Sequence, residues 1–166
     1  MVIKVNDTDL RVLALFTRDY NRGFYIREVQ RLLSMSSRTA LLSLDRLEQM
    51  GILSSELRGK IKIYVPQRSS LAVSYFVMAE QYKSLQLYAS SSHFSSLFDA
   101  LSQCRVGVAY EKGFGLRCQR IYVEGSITSE AKKVARQLGV QLEQKPIQGD
   151  YVLFGDVYAI VRGELL

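Results

Sequence analysis

The stretch from Ile26 to Val65 constrains this chain more than any other, because its apolar residues change period at Gly51. Before Gly51 they recur at helical spacing: Val29, Leu32 and Leu33, then, beyond Ser34-Met35-Ser36, Ala40, Leu44 and Leu47 at i, i+4 and i+7. After it, Ile52–Leu57 and Lys60–Val65 are strand-like runs joined at Arg58-Gly59, which reads as a hairpin. The spacing therefore predicts a helix through Val29–Leu33, a turn carrying a cap, a helix to about Met50 stopped by Gly51, and two strands. Upstream, Asn6, Asp7 and Thr8 are good N-cap residues, and Leu10, Leu13 and Ala14 place a first helix from about Thr8 to Arg18. Asn21-Arg22-Gly23 breaks it, and Phe24-Tyr25-Ile26 is a short β-prone run.

Charge is distributed unevenly along the chain. Residues 1–68 hold 12 Lys and Arg against 7 Asp and Glu, whereas residues 69–166 hold 10 against 9, so +5 of the net +6 lies in the first part. A basic surface attracts polyanions by releasing their counterions, which directs attention to phosphate contacts by the N-terminal part. Hydrophobic residues at 48% and charged residues at 23% are ordinary for a globular protein, and no run reaches the roughly 18 apolar residues of a membrane span. Met1-Val2-Ile3-Lys4-Val5-Asn6 lacks the features of a secretory signal, so a cytoplasmic location is expected. Cys104 and Cys118 are too few for a disulfide scaffold, and His93 alone makes no zinc cluster.

Helix, short strand, helix, turn, helix and hairpin is the winged-helix order. Ile26 to Leu53 resembles the second and third helices of bacterial and archaeal winged-helix regulators, through Ala40 after the turn, the Leu44/Leu47 pair and the Leu47-x-x-x-Gly51-Ile52-Leu53 exit. The resemblance covers roughly residues 7–66. It implies that the third helix enters the major groove of DNA with the face opposite Ala40, Leu44 and Leu47. Ser36, Ser37, Arg38 and Thr39 lie at its start, and Arg46 further along. Arg38 is the expected base contact, since a guanidinium pairs in bidentate fashion with guanine, while Ser37, Thr39 and Arg46 suit phosphates. Leu42 falls on the outward face, free either to meet a thymine methyl or to pack on the first helix, and Asp45 and Glu48 add negative charge beside it. In the hairpin, alternation places Ile61, Ile63 and Val65 on one side and Lys60, Lys62 and Tyr64 on the other; the apolar set is expected to dock, leaving Arg58, Lys60 and Lys62 outward for the minor groove or flanking phosphates. The same lysines would equally protect an edge strand.

A long helix is expected from Ser70 to about Ser90, with Leu71, Tyr75, Met78, Tyr82, Leu85 and Ala89 spaced 4, 3, 4, 3, 4 as in a coiled-coil seam. A second stripe, Ala72, Phe76 and Ala79, widens its apolar face. This surface is expected to pack on its own chain or, in a homodimer, on the same helix of a second subunit. The serine-rich segment 90–96 then reads as a break before a shorter helix to Gln103.

The remainder alternates: strands around Val106–Tyr110 and Gln119–Val123, a helix from Thr128 to Leu138 ended by Gly139, a strand around Val140–Glu143 and a helical or mixed segment from Asp150. Residues 80–166 weakly resemble the minimal nucleotidyltransferase domain found behind some archaeal winged helices. Aligned on Ile121-Tyr122-Val123-Glu124-Gly125, the family's magnesium-binding pair falls on Cys118 and Arg120, and its Gly-Ser turn on Glu111-Lys112-Gly113, which has no serine. An arginine at a ligand position repels the ion, and Glu111 and Glu124 are isolated, so neither transferase activity, cofactor nor metal is expected. His93 with Asp99 makes no convincing triad, Cys104 and Cys118 are more naturally buried thiols than a redox pair, and Gly113-Phe114-Gly115 is too sparse for a nucleotide loop.

The expected architecture is thus α+β: a winged helix-turn-helix over 1–67, linker and dimerisation helices over 68–103, and a small α/β domain over 104–166. The expected function is a non-enzymatic, homodimeric repressor binding double-stranded DNA, with a small-molecule or protein effector at the C-terminal domain. The alternatives are a nucleotidyltransferase-like enzyme and a protein-interaction adaptor.

Overall fold

Asn6 opens the first helix, α1 (Asp7–Phe16), through a reciprocal cap: its side chain accepts from the Asp9 N–H at 3.0 Å, and Asp9 accepts from the Asn6 N–H at 3.1 Å. The computed structural model describes residues 4–90, 92, 95–102, 107–110, 120–144, 151–153 and 156–166. After α1 the chain follows the expected order. Phe24 exchanges two 2.9 Å backbone hydrogen bonds with Tyr64, α2 (Ile26–Leu33) ends at Ser34 in a left-handed conformation (φ 50°), and Ser36 caps α3 (Ser37–Gln49) by accepting from the Thr39 N–H at 3.0 Å. Strands β1 (Leu53–Arg58) and β2 (Ile61–Pro66) pair antiparallel, closed by Arg58 opposite Ile61. Gly59, at φ +63°, takes the first of the two loop positions, where a hairpin turn needs a residue free of the Cβ penalty. Gly23 has a different reason: a Cβ there would collide with the side chains of Ile63 and Val65, so only glycine lets the Phe24 segment lie against β2.

Val12, Leu13 and Phe16 of α1, Val29 of α2, Ala40, Leu44 and Leu47 of α3, and Phe24, Ile52, Leu53 and Tyr64 are buried together. Phe16 and Phe24 meet edge to face, with ring centroids 5.0 Å apart. This is a winged helix-turn-helix, and the chain as a whole is α+β.

Helix α4 (Ser70–Ser90) follows, then α5 (Ser95–Ser102), β3 (Gly107–Tyr110), β4 (Arg120–Glu124), α6 (Ser129–Gln137), β5 (Gln141–Gln144), β6 (Tyr151–Leu153) and α7 (Val157–Leu165). The segment read as helical or mixed from Asp150 therefore resolves into a strand and a helix. The chain divides into two units, not three consecutive pieces: residues 1–79 with 158–166, and residues 80–157. The first takes in the start of α4, where Phe76 stacks edge to face on Tyr20 at 5.2 Å, and the end of the chain, where Arg68 donates to the Leu165 carbonyl at 3.3 Å. The division falls inside α4, after Ala79.

In the second unit the sheet order is β5-β4-β3-β6, with β4 and β5 parallel across α6 and the other neighbours antiparallel. Thr128 caps α6 by accepting from the Ala131 N–H at 3.1 Å. Leu97, Phe98 and Leu101 of α5 pack with Ile121 and Val123 of β4, Ala131 and Ala135 of α6, and Val140 and Val152. Among the described residues no helix is long and apolar enough to cross a membrane.

Candidate nucleic-acid interface

Helix α3 buries Ala40, Ser43, Leu44 and Leu47, which leaves Arg38, Leu42 and Gln49 at the middle of the opposite face and two flanks between. Each flank is held by its own charges. On one, Arg46 donates to Asp9 at 2.7 Å and Ser43 donates to the other oxygen of the same carboxylate at 2.6 Å. Asp9 is fully buried, so the cap of α1 is also the anchor that fixes the rotation of α3. Arg46, expected on a phosphate, has its Nη1 turned inward to that anchor because a buried carboxylate without a cation is costly.

On the other flank stand Asp45 and Glu48, the two acids that the sequence set against DNA binding. Lys62 donates to Glu48 at 2.7 Å and lies 3.5 Å from Asp45, Tyr64 donates to Asp45 at 2.7 Å, and Ser55 donates to Glu48. Together they fasten the wing to α3. The hydrogen bond from Lys62 holds the Glu48 carboxyl below the ordinary carboxylate value, and Glu48 in turn raises Lys62. Burial, reinforced by the bond to Asp45, pushes the Tyr64 phenol up to about 12.

The wing consequently faces the opposite way from the expectation. Leu53, Ser55, Leu57, Lys62, Tyr64 and Pro66 share the face turned to the helices, while Ile61, Ile63 and Val65 lie on the other, with Ile61 52% exposed. Tyr64 outcompetes the three aliphatic residues because it offers a ring for the core and a hydroxyl that reaches Asp45. Lys62, 4.6 Å from the centre of that ring, is thereby neutralised in place.

The other expected site residues divide similarly. Ser36 and Thr39 share a 2.8 Å hydroxyl contact in the cap, and Ser37 donates to Gln30, so all three, though exposed, are engaged in shaping the turn. Arg58, at the wing tip, pairs with Glu56 at 2.6 Å but remains 70% exposed. Arg38 and Lys60 are exposed, and among the described residues no hydrogen bond or ion pair engages either side chain. Leu42 is 54% exposed.

Sequence reasoning passed over Arg27 and Arg31. One helical turn apart on the exposed side of α2, they extend the unpaired cations beyond α3. Their i, i+4 spacing opposite Val29 was the available signal.

On α4 the two expected stripes separate. Ala72, Phe76 and Ala79 are fully buried, whereas Leu71, Met78 and Leu85 are 51%, 45% and 66% exposed, Ala89 is exposed, and Tyr75 and Tyr82 are half-buried.

In the second unit, a groove of about 420 Å³ between α6 and β5 has Ile127, Val140 and Leu142 along its floor and Lys132 and Arg136 on its rim. Arg120 begins β4 and Glu124 ends it exposed. His93, Cys104, Glu111, Lys112, Gly113, Phe114, Gly115 and Cys118 lie outside the described residues. Among the described residues, no three His, Cys, Asp or Glu side chains group as a metal site requires.

No protein-family model matches this sequence, and no curated protein does. A solved structure titled the transcriptional repressor BigR from Xylella fastidiosa aligns with 49% of this chain and 77% of its own, at 14% identity and a TM-score of 0.42, a likeness too slight to carry an argument. The winged helix is read from this chain's own elements.

Proposed function

We propose that this protein is a transcriptional regulator that binds double-stranded DNA sequence-specifically as a homodimer. One observation carries the reading: the charges of the N-terminal unit are sorted. Asp9, Glu28, Asp45 and Glu48 are engaged by Arg46, Arg22 and Lys62, while Arg27, Arg31, Arg38 and Lys60 stand exposed without such partners. In this proposal α3 enters the major groove with Arg38 foremost, Ser36, Ser37 and Thr39 approach phosphates at its start, and α2 lies across the backbone through Arg27 and Arg31. Lys60 and Arg58 at the wing tip reach the minor groove or flanking phosphates. Arg46 and Lys62 hold the reading head in shape.

The dimer is assigned to the exposed stripe of α4, since Leu71, Met78 and Leu85 repeat at heptad spacing and a two-fold pair of winged helices reads two half-sites.

Selection of bound duplexes from a random pool with the full chain tests the reading. It should enrich a palindrome with half-sites about one helical turn or a multiple apart. Recovery of no common sequence overturns it in favour of an adaptor. In light scattering, Met78→Glu/Leu85→Glu should halve the mass; an unchanged mass places the dimer elsewhere.

A further inference from the structure

The outward face of α3 holds an apolar residue where a DNA-reading helix has most reason to be polar. Asp45 and Glu48 lean to the wing and Arg46 leans to Asp9, so the middle of that face reduces to Arg38, Leu42 and Gln49. Leu42 is 54% exposed and is not among the residues that α3 buries. It follows Arg38 by four residues, hence on the same stripe, about 6 Å further along the axis at ~1.5 Å per residue. Base pairs are stacked ~3.4 Å apart, so a group at Leu42 meets a base edge within about two steps of the one at Arg38. In the major groove thymine alone of the four bases presents a methyl group, and an aliphatic side chain is its natural complement.

We infer that Leu42 is a specificity-determining residue that recognises a thymine 5-methyl group one or two base pairs from the guanine read by Arg38. The inference rests on the DNA-binding reading above. It supplies what that reading lacks: a contact that distinguishes thymine from every other base by apolar surface. Arg38 reads guanine, and Arg27, Arg31 and Lys60 supply affinity that is nearly indifferent to sequence, whereas Leu42 adds discrimination only where the methyl is present.

The test removes the methyl from the DNA and leaves the protein intact. In duplexes enriched by this protein, each thymine is replaced singly by deoxyuridine, and affinity is measured for the unaltered protein and for Leu42→Ala. One replacement near the conserved guanine should weaken the unaltered protein roughly threefold to fivefold, as expected for burial of one methyl-sized group. Leu42→Ala should bind the thymine and deoxyuridine duplexes alike. Its exposure means that this substitution leaves the thermal midpoint unchanged. Sequence-specific binding insensitive to every replacement overturns the assignment while leaving the DNA reading intact. Equal sensitivity in Leu42→Ala also overturns it, because another group then reads the methyl. Failure to enrich any sequence removes both.

Discussion

The flanks of α3 and its outward face differ in one respect that decides their roles: whether charge has a partner within the fold. On the flanks Arg46 meets Asp9, and Lys62 meets Glu48 and Asp45; on the outward face Arg38 meets none of them. Arginine and lysine occur in both places, so residue type does not separate scaffold from reader. Partners do. The flank pairs fix the helix and the hairpin, and Lys62 offsets one of the two negative charges that Asp45 and Glu48 place beside the outward face.

That contrast breaks most readily at Arg46. Arg46→Ala leaves the buried Asp9 carboxylate with the Ser43 hydroxyl and the Asn6 N–H as donors, and should destabilise the protein by about 2–3 kcal/mol in urea denaturation. Binding per folded molecule should change little. Arg38→Ala should do the reverse: titration at constant salt should show affinity for the selected duplex falling roughly tenfold or more, with stability within about 0.5 kcal/mol of the parent.

A smaller pair of effects sharpens the comparison within the wing. Lys60→Ala should lower the slope of log affinity against log salt by about one, the signature of one lost phosphate contact, whereas Lys62→Ala should leave the slope nearly unchanged and cost about 0.2–1 kcal/mol of stability. The smallest effect concerns acid. Folding lowers the Glu48 carboxyl, so the stability it contributes is complete above its unfolded value of 4.5 and disappears as pH falls through the lower folded value. The denaturation midpoint of Glu48→Gln should therefore fall less than that of the parent as pH is lowered through and below 4.5. Equal acid sensitivity would remove Glu48 from the wing clasp.

Sequence made the helices and hairpin legible because their signals are local. Ser36 as a cap, the stop at Gly51 and the turn at Gly59 each depend on a residue and its immediate neighbours. The orientation of β2 was not legible, since both faces of an alternating strand carried apolar surface, and the choice rested on Asp45 receiving the Tyr64 hydroxyl 19 residues away. Arg46 was misplaced for the same reason: its partner, Asp9, lies 37 residues upstream, at a position to which local signals gave no role. The two-part division drew on contacts between the first 79 residues and the last nine, which no periodicity announces.

Because Asp9 locks the rotation of α3 from behind, the positions pointing away from it are answerable to nothing inside the protein. Among the described residues the side chains of Arg38, Leu42 and Gln49 make no hydrogen bond or ion pair with the rest of the fold, so exchanging them alters what the helix recognises without altering whether it forms. A lineage carrying this arrangement could drift from one operator to another by single substitutions, each neutral for folding, and an engineer could follow the same route.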